Sequence, residues 1–124
     1  MIVGIGVDMV QVRRMERWIE TPGLLERYFH PEELAVSLAK GYGASLSLAA
    51  RFAAKEAFGK ALGTGLAGIV LKDMMVVNND RGRPEMLVLE TALAALNESG
   101  ANRIHISITH ESDNAVAMVV LESL

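Results

Sequence analysis

The chain has 124 residues, 51% of them hydrophobic, and a formal net charge of −3. This length fits one domain with a real core, and the negative balance gives no general case for nucleic-acid binding. It contains no cysteine, which excludes disulfide scaffolds, thiolate zinc sites and cysteine nucleophiles.

The first residues read MIVGIGVD. They carry no basic segment, and Asp8 interrupts the apolar run too early for a signal peptide. No later stretch reaches transmembrane length, so the expectation is a cytoplasmic protein without a membrane segment. Residues 2–7 read as a short buried strand whose two glycines mark close backbone approach, with Asp8 at its end. Residues 10–20 read as a helix with Val12, Met15, Trp18 and Ile19 on one face and Arg13, Arg14 and Arg17 largely off it. Three cations with only Glu16 among them point either to an acidic partner or to a plain solvated face. TPG at 21–23 stops this helix.

A short helix is expected over 24–28, and HPEE at 30–33 opens another, with Pro31 in its first turn and two glutamates near its positive end. GYG at 41–43 ends it. A long helix follows over about 45–62 and is terminated by GTG at 63–65. MMVVN (74–78) and PEMLV (84–88) flank a turn containing Gly82, which predicts a hairpin. A helix over 88–98 ends at Gly100. In RIHISIT, Ile104, Ile106 and Ile108 face one way and His105, Ser107 and Thr109 the other. NAVAMVVLE returns as its antiparallel partner. The sum is a single α+β domain over 1–124, an antiparallel sheet packed against a long helix.

The stretch RFAAKEAFGKALGTG (51–65) carries two small penalties. Arg51 and Lys55 lie one turn apart, where like charges repel, and Gly59 sits within the helix, at a cost of about 1 kcal/mol relative to Ala. Glu56 and Lys60 form an i, i+4 pair in the favourable order. The face is either a solvated surface laced by one weak ion pair or a surface held against an anion. Asp8 is either an N-cap for the helix that follows it or, with Glu56, half of a magnesium–phosphate site. Mg²⁺ commonly takes one or two carboxylates plus substrate phosphates, and Arg and Lys supply the remaining countercharge.

GIGVDMVQVRR (4–14), RYFHPEE (27–33), RFAAKEAFGKALGTG (51–65), DRGRPEM (80–86) and HISITH (105–110) occur in this order. Together they resemble the holo-(acyl-carrier-protein) synthases, the small bacterial 4'-phosphopantetheinyl transferases, over essentially the whole chain. The resemblance implies the transferase fold of that group and a homotrimer with active sites between subunits. It implies transfer of 4'-phosphopantetheine from coenzyme A to a serine of apo-acyl carrier protein, with Mg²⁺ required and 3',5'-ADP released. Asp8 and Glu56 match the metal-binding carboxylates, and Lys60 matches the lysine beside the pyrophosphate. The three are the expected catalytic residues. Arg51, Lys60 and Gly63, with Gly82, Arg83 and Pro84 of GRP and Thr109 and His110 of THE, match coenzyme A contacts. Arg14 matches a residue that meets the acidic carrier, with Arg13 and Arg17 beside it. On this reading the cationic face and Gly59 lie against coenzyme A phosphates.

The implied chemistry is phosphoryl transfer, in which positioning and charge stabilisation dominate. The base is either Glu56 or a metal-bound water. Two other classes are weighed against it. A non-catalytic carrier-binding module of the same fold has no need of Asp8, Glu56 and Lys60 together. A magnesium-dependent nucleotide phosphatase or binder lacks support, because GIG has neither the third glycine nor the spacing of a dinucleotide fingerprint and no P-loop is present.

Overall fold

A computed structural model describes residues 1–124. Its elements are β1 (Ile2–Gln11), α1 (Val12–Ile19), α2 (Leu25–Tyr28), α3 (Pro31–Leu38), α4 (Ala44–Leu62), β2 (Met74–Asn78), β3 (Pro84–Val88), α5 (Glu90–Ser99), β4 (Arg103–His110) and β5 (Asn114–Glu122). β1, β5 and β4 form a three-stranded antiparallel sheet in that order, and β2 and β3 form a separate hairpin. The α+β architecture with a long helix against an antiparallel sheet is the expected one.

Helix α4 is the axis of the molecule because its alanines let other elements approach. Ala49, Ala53, Ala54, Ala57 and Phe58 are fully buried. The first strand lies directly on them. A Cβ built on Gly4 would fall 1.8 Å from the Ala61 carbonyl oxygen, and one on Gly6 would fall 2.0 Å from that of Ala57. No side chain fits at either position, so the GIG pattern records strand backbone in contact with helix backbone. Each two-residue step along β1 matches one four-residue step back along α4. The next step carries Asp8 to the turn of α4 that holds Ala53 and Glu56.

Two boundaries differ from expectation. β1 continues through Asp8 to Gln11, with Asp8 opposite Ala117 and Gln11 opposite Asn114. The long partner strand β5 satisfies the backbone of residues 8–11, so extended structure wins over an early helix start. Consequently α1 begins at Val12, and its N-cap is Gln11, with no side-chain cap hydrogen bond. Asp8 is therefore neither at a strand end nor a cap. α5 begins at Glu90, two residues later than expected, where the Asp73 carboxylate accepts hydrogen bonds from the Thr91 N–H and hydroxyl.

Ile104, Ile106 and Ile108 are partly buried on the inner face of the sheet, as the alternation requires. The outer face is less usual. Ile5, Val7 and Met9 of β1 and Met118 of β5 are all exposed, and register pairs Val7 with Met118 and Met9 with Val116. This is a contiguous apolar strip of a kind that marks interaction surfaces.

Candidate active site

Asp8, Glu56 and Lys60 meet where β1 crosses α4. Lys60 Nζ donates to Asp8 Oδ1 at 2.9 Å and to the Val7 carbonyl at 3.2 Å. The expected Glu56–Lys60 pair does not form, because Asp8, brought in by the sheet, takes the ammonium instead. Glu56 is partly buried, and its carboxyl is held above the usual carboxylate range, first by that burial and then by the negative charge of Asp8. Arg14 and Lys60 pull it back down. A dication shared by Asp8 and Glu56 would relieve this repulsion, and the donor set suits Mg²⁺. No cluster of three or more acidic, histidine or cysteine side chains exists, so remaining ligands would have to be water or phosphate oxygen, as Mg²⁺ prefers.

Arg51 stands elsewhere. It is nine residues before Lys60, about half a turn away in azimuth and roughly 13 Å away along the axis at helical geometry. Its side chain is buried, with Nη1 donating to Ser47 Oγ at 2.6 Å and Nε without any partner. Burial lowers its pKa, partly offset by the charge of Glu33. The guanidinium borders a cavity of about 340 Å³ that also receives Lys40, Asn78, Pro84 and His110. A buried cation with neutral partners and an unsatisfied N–H, beside a second cation, is suited to an anion such as phosphate.

Between these sites lies a third arrangement that reasoning from sequence missed. Lys55 is fully buried and donates to Glu33 Oε1 at 2.6 Å, to the Tyr28 carbonyl at 2.8 Å and to the Leu71 carbonyl at 3.1 Å. Glu33 in turn accepts the His30 and Val76 N–H groups at 3.0 Å each. Burial lowers the Lys55 pKa, and Glu33 opposes the shift. Every donor of this ammonium is satisfied inside the protein, so Lys55 ties α2, α3, α4 and β2 together and does not meet a ligand. The expectation of a continuous cationic face against phosphates is corrected here. Its Gly59 is also explained otherwise: a Cβ there would lie 2.8 Å from Leu66, and the Gly65 N–H donates to the Gly59 carbonyl. The glycine admits the chain that returns after α4.

The remaining expected residues divide between several surfaces. Gly63 ends α4 in the left-handed conformation, at φ 82°. Gly82, at φ 80°, forms the tip of the β2–β3 hairpin, where Asn79 Oδ1 accepts the Arg81 and Arg83 N–H groups. Pro84 borders the Arg51 cavity, but Arg83 borders a different cleft, alongside His105. His110 reaches the Arg51 cavity, and Thr109 lies on the outer sheet face beside Met9. Asp8 is thus on β1, at one edge of the three-stranded sheet, and Thr109 and His110 on β4, at the other. Arg13 lines a polar cleft with Glu16 and Asp113, and Arg17 lies exposed in the last turn of α1. Arg14 alone turns toward α4, its guanidinium carbon 5.1 Å from the Trp18 ring centre and 5.0 Å from that of Phe52. Lys40, Ser47 and Asn78 had no signal in the sequence pattern, since only the fold brings them to Arg51.

A sequence model of the 4'-phosphopantetheinyl transferase superfamily matches residues 4–119. A curated relative from Treponema denticola, named holo-(acyl-carrier-protein) synthase, is 57% identical over 98% of this chain and 99% of its own. A relative of the same name from Treponema pallidum is 44% identical over 98% and 97%. Among solved structures, a holo-(acyl-carrier-protein) synthase from Neisseria meningitidis superposes with TM-score 0.88 at 36% identity, covering 99% of this chain and 100% of that one. The Bacillus anthracis enzyme, described in complex with CoA (3',5'-ADP), superposes with TM-score 0.84 at 37% identity, covering 100% and 99%.

Proposed function

The chain belongs to the 4'-phosphopantetheinyl transferase superfamily, and from that premise we propose a Mg²⁺-dependent transfer from coenzyme A to a serine of apo-acyl carrier protein. The serine oxygen attacks the phosphorus that bears pantetheine. The bond from that phosphorus to the bridging oxygen breaks, and 3',5'-ADP leaves with that oxygen. The serine proton passes to Glu56 or to water.

The observation that carries this reading is the convergence of Asp8, Glu56 and Lys60. Asp8 and Glu56 would hold the metal, which when bound neutralises charge on pyrophosphate oxygens. Lys60 now balances Asp8, and its side chain is 55% exposed, so it is free to turn toward a phosphate. Arg51 and His110 would hold the phosphate and adenosine end of coenzyme A, with Gly63, Gly82, Arg83, Pro84 and Thr109 shaping the surroundings. Arg13, Arg14 and Arg17 would receive the acidic carrier.

We read the nucleotide and metal halves as lying on opposite faces of α4, and an apolar strip is exposed on the outer face of β1 and β5. Both features support a homotrimer in which one subunit's Asp8, Glu56 and Lys60 face the next subunit's Arg51 and His110. A contact between two different faces of the same chain is heterologous, and heterologous contacts that close form rings. We further read residues 1–124 as one transferase domain, serving fatty acid biosynthesis in the cytoplasm. No helix is long and apolar enough to cross a membrane.

The test is the intact mass of an apo-acyl carrier protein after incubation with coenzyme A, Mg²⁺ and this protein. The expected result is a gain of one phosphopantetheine per carrier, release of 3',5'-ADP, and loss of both on chelation. An unmodified carrier under these conditions overturns the proposal.

A further inference from the structure

Arg14 is exposed, yet it is not free to wander. Its guanidinium lies over both Trp18 and Phe52, and it makes no ion pair or side-chain hydrogen bond with the rest of the chain. The two rings are themselves fixed. Trp18 stacks on Tyr28 with centroids 4.9 Å apart, and meets Phe52 edge-on at 5.0 Å. Phe52 is buried in the core. Phe52 and Glu56 are one helical turn apart on α4, so the platform that carries Arg14 ends beside the Glu56 carboxyl. That a charge on Arg14 is felt at Glu56 agrees with this placement.

A guanidinium attracted to aromatic faces keeps its N–H donors free, because they lie in the guanidinium's own plane and do not point into the rings. The arrangement holds the cation without spending its hydrogen bonds. An exposed arginine otherwise loses much rotamer freedom when it engages an anion, and a side chain already held avoids most of that loss.

We propose that Trp18 is a positioning residue of the transfer site: with Phe52 it clamps the Arg14 guanidinium at the rim beside Glu56, its N–H edge presented to a carboxylate of the incoming carrier protein. This rests on the carrier-modifying function proposed above. Trp18 acts only through Arg14 and touches no substrate. Arg13 and Arg17 have no such platform, which separates Arg14 from its neighbours on physical grounds.

The experiment measures carrier binding apart from turnover. A purified bacterial apo-acyl carrier protein is titrated calorimetrically into wild type, Trp18→Leu, Trp18→Phe, Arg14→Met and the Trp18→Leu/Arg14→Met double variant. In parallel, kcat and KM are measured for the carrier and for coenzyme A. Trp18→Leu should weaken carrier affinity and raise carrier KM by about three- to tenfold, the range of a partly desolvated cation–π contact. Its kcat and coenzyme A KM should stay within about twofold, because losing a contact that only helps to bind the carrier raises the carrier KM without changing kcat. Trp18→Phe should recover most of the loss. In the Arg14→Met background, Trp18→Leu should add nothing, since the clamp then has nothing to hold. Trp18 is the only tryptophan, so its fluorescence should also change when wild type binds carrier, and change less in Arg14→Met. Unchanged carrier affinity in Trp18→Leu, or an equal further loss in the Arg14→Met background, overturns the clamp. If Trp18→Leu does not fold, the fluorescence titration decides: a response to carrier as large in Arg14→Met as in wild type overturns the clamp. Failure of wild type to modify the carrier would sink the functional reading, while the binding titration still judges the clamp.

Discussion

The inward and outward faces of α4 carry the same kinds of charge and put them to different use. On the inward face Lys55 is enclosed by three protein acceptors, one of them a carboxylate that also takes two backbone N–H groups. On the outward face Lys60 has one carboxylate and stays half open to water. A buried charge must be matched in place, because solvent cannot do it. An exposed charge at a crowded acidic site stays available to a ligand. Arg51 stands between the extremes: buried like Lys55, but with an unpaired Nε and a cavity at its edge. Complete pairing therefore separates the scaffold from the site more sharply than charge or position along the helix.

The largest effect that sharpens this contrast is expected inside. Lys55→Met leaves Glu33 buried and unmatched, and should cost about 3–5 kcal/mol of folding stability, measured by urea unfolding. Adding Glu33→Leu should return only part of the loss: it removes the unmatched carboxylate but leaves the His30 and Val76 N–H groups and the Tyr28 and Leu71 carbonyls without these partners. A Lys55→Met protein as stable as wild type would erase the distinction between the two faces.

Outside, Glu56→Gln should lose transfer activity equivalent to about 2.7–4 kcal/mol or more, as for other electrostatic transition-state partners. Its effect on folding should be small and opposite in sign. Because the Glu56 pKa is raised, the folded protein holds that proton more tightly than the unfolded chain does. Wild type and variant should be equally stable in acid, where both carry a neutral group. As pH rises above the ordinary carboxylate range, wild type alone acquires the penalty of an ionised, half-buried carboxylate beside Asp8. Thermal melts in chelator should show Glu56→Gln gaining on wild type toward neutral pH, and added Mg²⁺ should narrow the gap by stabilising wild type. A variant less stable than wild type at neutral pH would mean that Glu56 is a structural group.

Much of the fold was legible. The alanine-rich run of α4, the alternation in β4 and the turn residues of the hairpin each follow local rules and hold. The misses are long-range. Asp8 precedes a polar helical pattern and reads locally as a cap, but the partner that extends β1 past it is over 100 residues away in β5. Arg51 and Lys55 read as a repelling pair because Glu33, which settles Lys55, lies 22 residues upstream. Gly59 reads as an opening for a ligand, whereas its cause is Leu66 on the returning chain. One signal was present and unused: nine residues of helix turn Arg51 and Lys60 to opposite sides. A helix wheel already says that one chain cannot aim both at the same phosphate.

That division makes subunit mixing the most direct test of the proposed site. Glu56→Gln and His110→Ala chains, each impaired alone, are mixed in equal amounts, unfolded and refolded together. If Glu56 of one subunit works with His110 of the next, random assembly restores about one quarter of the sites, because each such site needs an intact residue from two different chains. Transfer activity should recover to about that fraction of wild type refolded in parallel. A mixture that assembles fully and stays as inactive as its components would contradict a site shared between the two faces.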